Sequence, residues 1–157
     1  MKDKLNYFMA RAIELSLDSV KSNGGPFGCV IVKNDEIIAE GANEVTKSND
    51  PTAHAEIVTI RSACEKLNTF DLKDCEIFTS CEPCPMCLSA IYWSHINKIY
   101  YGNTRLDAAK IGFDDNFIYQ ELNLNLKKRK IPLQQINKNE AIKAFEEWEL
   151  KEDKVEY

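Results

Sequence analysis

The apolar residues at the start of this chain repeat first with a helical period and then with the pattern of strands. Six apolar positions fall on one helix face, and Gly24-Gly25-Pro26 ends that helix. Those six positions are Leu5, Phe8, Met9, Ala12, Ile13 and Leu17. Residues 27–32 form a short apolar run typical of a buried strand, and Lys33-Asn34-Asp35 turns the chain into a second strand over residues 36–42. We expect these two strands to pair antiparallel.

The middle of the chain predicts a helix followed by a strand, a helix and a strand. Thr52 is a candidate N-cap for the first helix, whose apolar positions lie on one face. The later segments are a strand at 75–80, a helix at 84–93 and a strand at 96–102. Strand, helix and strand joined by short connections predict parallel pairing through a right-handed crossover.

The remaining segments complete an α/β order. They predict a short helix at 107–110, a strand at 131–136 and a helix at 140–150. Because no repeat or linker divides the chain, we expect one domain over residues 1–157. The predicted architecture is a three-layer α/β/α fold, in which helices cover both faces of a mixed sheet of about five strands.

The charge and the hydropathy of the chain limit the classes of molecule that it is expected to bind. The chain has 157 residues, with 20 basic against 25 acidic side chains and a net charge of -5. Nucleic-acid binders usually carry a basic surface, whereas here the one basic run, residues 127–130, is more typical of a solvated loop. The apolar runs are too short to cross a membrane, and the N-terminus lacks a secretory apolar core. We therefore expect a cytoplasmic protein that acts on a small molecule, with no nucleic-acid or membrane partner.

The spacing of histidine and cysteine predicts a zinc site. Three of the six cysteines crowd into residues 81–87, which in a cytoplasmic protein favours metal over disulfides. His54, Cys84 and Cys87 give Zn²⁺ three ligands and leave a fourth position open for water, as in catalytic zinc sites. Glu56 follows the histidine by two residues and is placed to handle protons. Both halves of the motif fall at predicted helix N-termini, where the helix dipole favours thiolate.

Cys81 leaves an alternative open. A closed site of His54, Cys81, Cys84 and Cys87 is a structural zinc site without room for water. Glu56 favours the open site, because a structural zinc has no use for a nearby carboxylate.

His-x-Glu followed by Pro-Cys-x-x-Cys is the signature of zinc-dependent nucleobase deaminases. The chain resembles the cytidine deaminase superfamily, and in particular the short bacterial guanine deaminases. The resemblance rests on Gly24-Gly25-Pro26-Phe27-Gly28, Asn43, residues 48–56, residues 79–87, Ala90-Ile91-Tyr92-Trp93, Gly112-Phe113-Asp114-Asp115 and the terminal Glu156-Tyr157.

The resemblance implies hydrolytic deamination of guanine to xanthine and ammonia, with one zinc ion per chain. Glu56 is then the catalytic proton carrier, and Asp115 binds the donor edge of the base or relays a proton. The resemblance also implies a homodimer, in which the C-terminal segment is swapped between subunits. The expected substrate-binding residues are Phe27, Asn43, Ala55, Trp93 and Tyr157.

Three other functions stay open at this stage. A tRNA adenosine deaminase shares the zinc motif, although the acidic balance and the tyrosine ending argue against it. Cytosine or a nucleoside such as guanosine is another candidate substrate, because the motif residues do not distinguish a free base from a riboside. The non-enzymatic alternative is an interaction module stabilised by zinc.

Overall fold

A mixed four-stranded sheet organises the first part of the computed structural model, which describes residues 2–157. The strands are β1 (Gly28–Lys33), β2 (Glu36–Ala42), β3 (Cys75–Cys81) and β4 (Lys98–Asn103), arranged in the order β2-β1-β3-β4. β1 pairs antiparallel with β2 and with β3, and β3 pairs parallel with β4. The predicted pairings and the α/β class are confirmed, but the sheet has four strands over the described residues, not about five.

Helices account for most of the remaining chain. They are α1 (Lys2–Lys21), α2 (Val45–Ser48), α3 (Ala55–Leu67), α4 (Pro85–Trp93), α5 (Arg105–Lys110), α6 (Asn116–Leu122), a short 3₁₀ helix (Leu126–Lys128) and α7 (Lys138–Leu150). Between residues 2 and 157, no helix is long and apolar enough to cross a bilayer.

The strand predicted at residues 131–136 is wrong. That segment is irregular, and the side chains of Ile131 and Ile136 are exposed. Pro132 has no N–H to donate to a neighbouring strand, so the alternating apolar residues around it do not enter a ladder.

Two hydrophobic clusters lie on opposite faces of the sheet. On one face α1 packs against the strands through a cluster of Phe8, Ala12, Val30, Val32 and Phe78. On the other face α3 and α4 contribute Ala55, Ala63 and Ile91 to a cluster that includes Ile31 and Ile77. Successive strand residues point to opposite faces, which is why Val30 and Ile31 belong to different clusters. The result is the predicted arrangement of helices on both sides of a sheet.

β3 is an inner strand of the sheet, and most of its residues are buried. It is hydrogen-bonded to β1 on one side and to β4 on the other, and six of its seven residues are buried. The chain leaves β3 at Cys81 and reaches the start of α4 at Pro85.

α1 lies so close to β1 that Gly28 leaves no room for a side chain. A Cβ atom on Gly28 would lie 2.2 Å from the carbonyl oxygen of Ala12 and 2.6 Å from the backbone nitrogen of Ser16. We predict that Gly28→Ala lowers the free energy of unfolding by about 3 kcal/mol, because the clash can be relieved only if the backbone of α1 moves away from β1. Urea denaturation measures this change.

Gly41→Ala is the comparison for Gly28→Ala and is expected to cost less stability. The nearest atom to its new Cβ is the side-chain hydroxyl oxygen of Thr59 at 2.7 Å, and a side chain can move more easily than a helix backbone. Equal losses for the two variants would contradict the close approach of α1 to β1.

The described chain divides into two compact units, and the boundary falls between Asn116 and Phe117. In the second unit, residues 117–157, none of the side chains is buried, although the unit is rich in large apolar residues. The exposed ones include Phe117, Ile131, Phe145, Leu150 and Tyr157. The prediction of one domain with a swapped C-terminal segment stays a prediction.

Candidate active site

Two helix starts carry the predicted zinc ligands. His54 is the N-cap of α3 and Cys84 is the N-cap of α4, both with extended backbone and neither with a side-chain capping hydrogen bond. Pro85, at the first position of α4, presets the helical backbone angle there. The side chains of His54 and Cys84 are therefore available as ligands.

The prediction of Thr52 as the cap of α3 is wrong by two residues. Thr52 instead lies in a turn, where its hydroxyl and its backbone N–H both donate to Oδ1 of Asp50. The position that ordinarily carries a capping side chain is occupied by His54.

His54, Cys84 and Cys87 come together as a ligand group. Nδ1 of His54 lies 3.5 Å from the Sγ atom of each cysteine, and the three candidate atoms all lie within 4.8 Å of one another. Usual zinc–nitrogen and zinc–sulfur bond lengths in a tetrahedral site place nitrogen and sulfur about 3.6 Å apart. The group therefore fits a zinc ion held by Nδ1 and two sulfurs.

Cys81 points away from this group. Its thiol donates to the carbonyl oxygen of Thr104 at 3.6 Å, and burial raises its pKa to about 11. Among the described residues it does not join the metal-ligating atoms. This geometry favours the open three-ligand site over the closed one.

The charges around the ligand group act differently on its three members. The neighbouring Cys87 thiol lowers the pKa of Cys84 to about 4, and His54 acts in the same direction. The hydrogen bond with Cys84 raises the pKa of His54, and Cys84 together with burial raises the pKa of Cys87, so these two groups release their protons when a metal ion binds. A thiolate is the form of cysteine that binds metal, so Cys84 is prepared for an ion.

Glu56 lies buried beside the ligands, in the first turn of α3. Its side chain is buried, with 6% of the residue exposed, and burial raises its pKa. Oε2 lies 3.4 Å from Sγ of Cys87, whose thiol donates to it. Oε1 accepts a hydrogen bond from Oγ1 of Thr79 at 3.1 Å. This arrangement places a proton acceptor next to the position of a metal ion.

Thr79 is a residue of this site that sequence reasoning missed. It lies on β3 and is 1% exposed, on the same face as the apolar residues Cys75 and Ile77. A hydroxyl at an inward position of a buried strand needs a hydrogen-bond partner, and this was the signal available in the sequence.

Asn43 and Asp115 are the predicted polar substrate-binding residues, and of the two Asp115 is influenced by the charge of Cys84. Oδ1 of Asn43 accepts a hydrogen bond from the backbone N–H of Val45 at 3.3 Å, so its amide presents the NH₂ group as a donor for a ligand. Asp115 is half-buried, and burial followed by the charge of Cys84 raises its pKa. Ala55 begins α3 directly after His54 and is fully buried.

Phe27 lines an open cavity of about 240 Å³. Cys81, Asn103 and Ile111 also contribute to its walls. The ring of Phe113 meets the ring of Phe27 edge-on, with the centroids 5.0 Å apart. Phe27 is therefore held in place as one wall of this cavity.

Trp93 lies at the end of α4 opposite to the ligand group. It is nine residues after Cys84, which is about 14 Å along the helix axis. Its side chain is 65% exposed. Tyr157 is the last residue of the second unit and is also exposed.

Comparisons with known proteins agree with this site. Residues 2–103 match the family model described as the cytidine and deoxycytidylate deaminase zinc-binding region. The chain is 50% identical to the guanine deaminase of Bacillus subtilis (strain 168) over 151 residues, which cover 96% of this chain and 97% of that protein. The X-ray structure of guanine deaminase from Bacillus subtilis superimposes with a TM-score of 0.94 at 49% identity, and the match covers 97% of this chain and 98% of that one.

The tRNA-specific adenosine deaminases are a second group of relatives, with lower identity to this chain. The tRNA-specific adenosine deaminase of Aquifex aeolicus (strain VF5) is 40% identical over 95 residues, which cover 60% of this chain and 63% of that protein. The tRNA-specific adenosine deaminase of Buchnera aphidicola subsp. Schizaphis graminum (strain Sg) is 30% identical over 141 residues, which cover 89% of this chain and 90% of that protein. The tRNA enzymes are thus similar at lower identity than the guanine deaminase of Bacillus subtilis.

Proposed function

We propose that this chain, which belongs to the cytidine and deoxycytidylate deaminase family, is a guanine deaminase. It would hydrolyse the exocyclic amine of guanine to give xanthine and ammonia. The observation that carries this proposal is the buried carboxylate of Glu56 beside the ligand group of His54, Cys84 and Cys87. The choice of guanine is supported by the near full-length similarity to a guanine deaminase.

The metal proposed for this site is one zinc ion per chain. His54 would hold it through Nδ1, and Cys84 and Cys87 through their sulfur atoms. When bound in a site with an open position, zinc supplies a nucleophilic water at neutral pH.

Glu56 carries protons in this proposal. Its carboxylate takes one proton from the water molecule as the water oxygen attacks C2 of guanine, and it passes this proton to a ring nitrogen. It then takes the second proton from the new hydroxyl group on C2 and passes it to the amine, so that the C–N bond breaks, ammonia leaves and C2 becomes a carbonyl carbon. Burial strengthens the basicity of the carboxylate. A group in this role typically contributes ~10²–10⁴-fold to the rate.

The surrounding residues bind the base. The Asn43 NH₂ group suits an acceptor on guanine such as O6 or N7, because its oxygen is already engaged by Val45. The backbone N–H of Ala55, at the start of α3, supports negative charge that develops during the reaction. Asp115 suits the donor edge of the base or relays a proton as ammonia leaves. An aromatic ring such as that of Phe27 suits the face of a flat base.

A substrate panel tests the proposed function. The purified protein is supplied with guanine, guanosine, cytosine, adenine and a tRNA stem–loop, and ammonia release is measured. Guanine is expected to be turned over well above the others. Preferential turnover of the stem–loop would instead support the tRNA reading, against which the net charge of -5 already argues.

We further propose a homodimer in which the C-terminal segment reaches the partner's site. A unit of 41 residues without a buried side chain cannot fold stably by its own core, so its apolar residues need another surface. A partner subunit also gives a role to Tyr157 and to the exposed Trp93, both proposed here to bind substrate in the neighbouring subunit.

Deleting residues 155–157 is predicted to impair turnover of guanine while metal content and the circular dichroism spectrum are unchanged. The reason is that Tyr157 would no longer cover the partner's pocket. Retained activity after the deletion would contradict this role. Tyr157→Phe is the milder variant, which separates the ring from the hydroxyl.

Coexpression tests whether Tyr157 acts across subunits. A chain with Glu56→Gln and a chain lacking residues 155–157 are each impaired alone. If Tyr157 acts in the partner's site, random mixing restores about a quarter of wild-type activity, since half of the dimers are mixed and each has one intact site. No recovery would indicate that Tyr157 acts within its own chain or not at all.

A further inference from the structure

The two oxygens of the Glu56 carboxylate have different surroundings. Oε1 accepts the hydroxyl hydrogen of Thr79 at 3.1 Å, whereas Oε2 lies 3.4 Å from Sγ of Cys87. One oxygen is therefore directed at the sheet and the other at the ligand group. A half-turn of the carboxylate about its terminal bond only exchanges two equivalent oxygens, but a smaller rotation turns its plane away from both Thr79 and the ligand group.

Thr79 is rigidly placed to restrain that smaller rotation. It is 1% exposed, and it lies in the central part of β3, opposite Cys29 of β1 and Tyr101 of β4 in the two ladders. Threonine has a branched Cβ, so its χ1 angle is restricted and its hydroxyl has few directions available. The plane of the Glu56 carboxylate is thus restrained by a residue of a strand that is itself held on both sides, in addition to a hydrogen bond from the backbone of Glu56.

We propose that Thr79 is a positioning residue, which holds Oε1 of Glu56 and so assigns Oε2 to the proton transfers of the reaction. This inference rests on the proposed deaminase function. It adds that the two carboxylate oxygens have different roles, because one accepts the hydrogen bond from Thr79 and the other takes part in the proton transfers. Because small misplacements of a reacting group can cost on the order of 10²-fold in rate, the hydroxyl of Thr79 should matter although it touches neither substrate nor metal.

Thr79→Val tests the proposal, because valine keeps the shape of threonine and removes only the hydroxyl. We expect kcat for guanine to fall by about 10- to 100-fold, with KM changed by less than about threefold and zinc content equal to wild type. Thr79→Ser, which retains a hydroxyl, is expected to recover most of kcat. Wild-type kcat in Thr79→Val would overturn the proposal.

A second pair covers the case in which valine disturbs folding. Thr79→Ala and Thr79→Ser have similar volumes and differ by the hydroxyl. If alanine and serine reduce kcat equally, the effect is one of packing and the proposal fails. If serine exceeds alanine by about tenfold, the hydroxyl is responsible.

Thr59→Val is the matched control. Thr59 is also fully buried, but its hydroxyl donates to the carbonyl oxygen of Ala55 at 2.7 Å, within α3. Removing it is expected to change stability and to leave kcat within about threefold of wild type. A loss of kcat equal to that of Thr79→Val would show that any buried hydroxyl has this effect, and the proposal would fail.

A readout that does not depend on turnover separates this inference from the proposed function. In crystal structures, Thr79→Val should show the Glu56 carboxylate rotated or in two orientations, while His54, Cys84 and Cys87 superimpose on wild type. If the wild-type protein releases no ammonia from guanine, the proposed function is wrong and the orientation still tests the role of Thr79. An unchanged carboxylate in Thr79→Val would overturn the role.

Discussion

Replacing Glu56 by glutamine is expected to lower turnover of guanine by about 10²–10⁴-fold and to leave the metal in place. Glutamine has nearly the same shape as glutamate and can still accept the hydrogen bond from Thr79. It cannot take a proton, so the reaction loses its proton carrier. The measurements are ammonia release under saturating guanine and zinc per chain by elemental analysis.

Glu65→Gln is the control for this substitution. Glu65 lies on the same helix, α3, but it is exposed near the C-terminal end. Its replacement makes the same chemical change and is expected to leave turnover unaltered. If Glu56→Gln also kept full activity, the reading of the site as catalytic would be wrong, and a zinc-stabilised interaction module would regain support.

Replacing Cys87 by alanine is expected to remove zinc and to lower turnover by on the order of 10³-fold or more, since several kcal/mol of transition-state stabilisation depend on the metal. Cys87 is fully buried, and its sulfur lies 3.5 Å from Nδ1 of His54. A site with two remaining protein ligands does not hold zinc in its usual coordination. Zinc content of the purified variant, measured before and after dialysis against a chelator, reports the loss.

Cys81→Ala is the control for Cys87→Ala, because both cysteines lie within residues 81–87. Cys81 is also buried, but its thiol is directed at the carbonyl oxygen of Thr104. We expect this variant to retain zinc. Loss of zinc from Cys81→Ala as well as from Cys87→Ala would revive the closed four-ligand site. Thermal unfolding of both variants separates loss of metal from loss of fold.

The sequence predicted the central fold because periodicity and turn residues agreed there. β1, β2 and β3 were located within one residue of their observed bounds, and the Lys33-Asn34-Asp35 turn was recognised from its polar residues. Asn34 and Asp35 both have positive φ angles, which asparagine and aspartate tolerate better than most residues. Local chemistry was sufficient in this region.

The predictions of secondary structure are wrong where the conformation depends on residues that are distant in the sequence. The alternation around Ile131 and Leu133 resembles a strand, but a strand needs a neighbour, and a single pattern cannot reveal whether one exists. Likewise, Thr52 is the better cap by residue type, whereas the chain places a histidine there. A side chain committed to a metal site overrides capping preference.

The ligand set and Glu56 were accessible from spacing alone, but Thr79 was not. His54, Glu56, Cys84 and Cys87 form a recognisable pattern within two short segments. Thr79 meets Glu56 only because β3 and α3 pack face to face, which brings together residues 23 positions apart. Contacts of this kind require the packed structure.

The enclosed position of β3 has a consequence for engineering. Thr79 lies on this strand, and Cys84 and Cys87 follow it at the start of α4, while Phe27, Asn43 and Asp115 lie outside regular helices and strands. A mutant library aimed at other amino-substituted heterocycles should therefore randomise those three positions and keep residues 79–87 constant. Variation in the strand would endanger the chemistry, whereas variation in the surrounding segments would explore recognition.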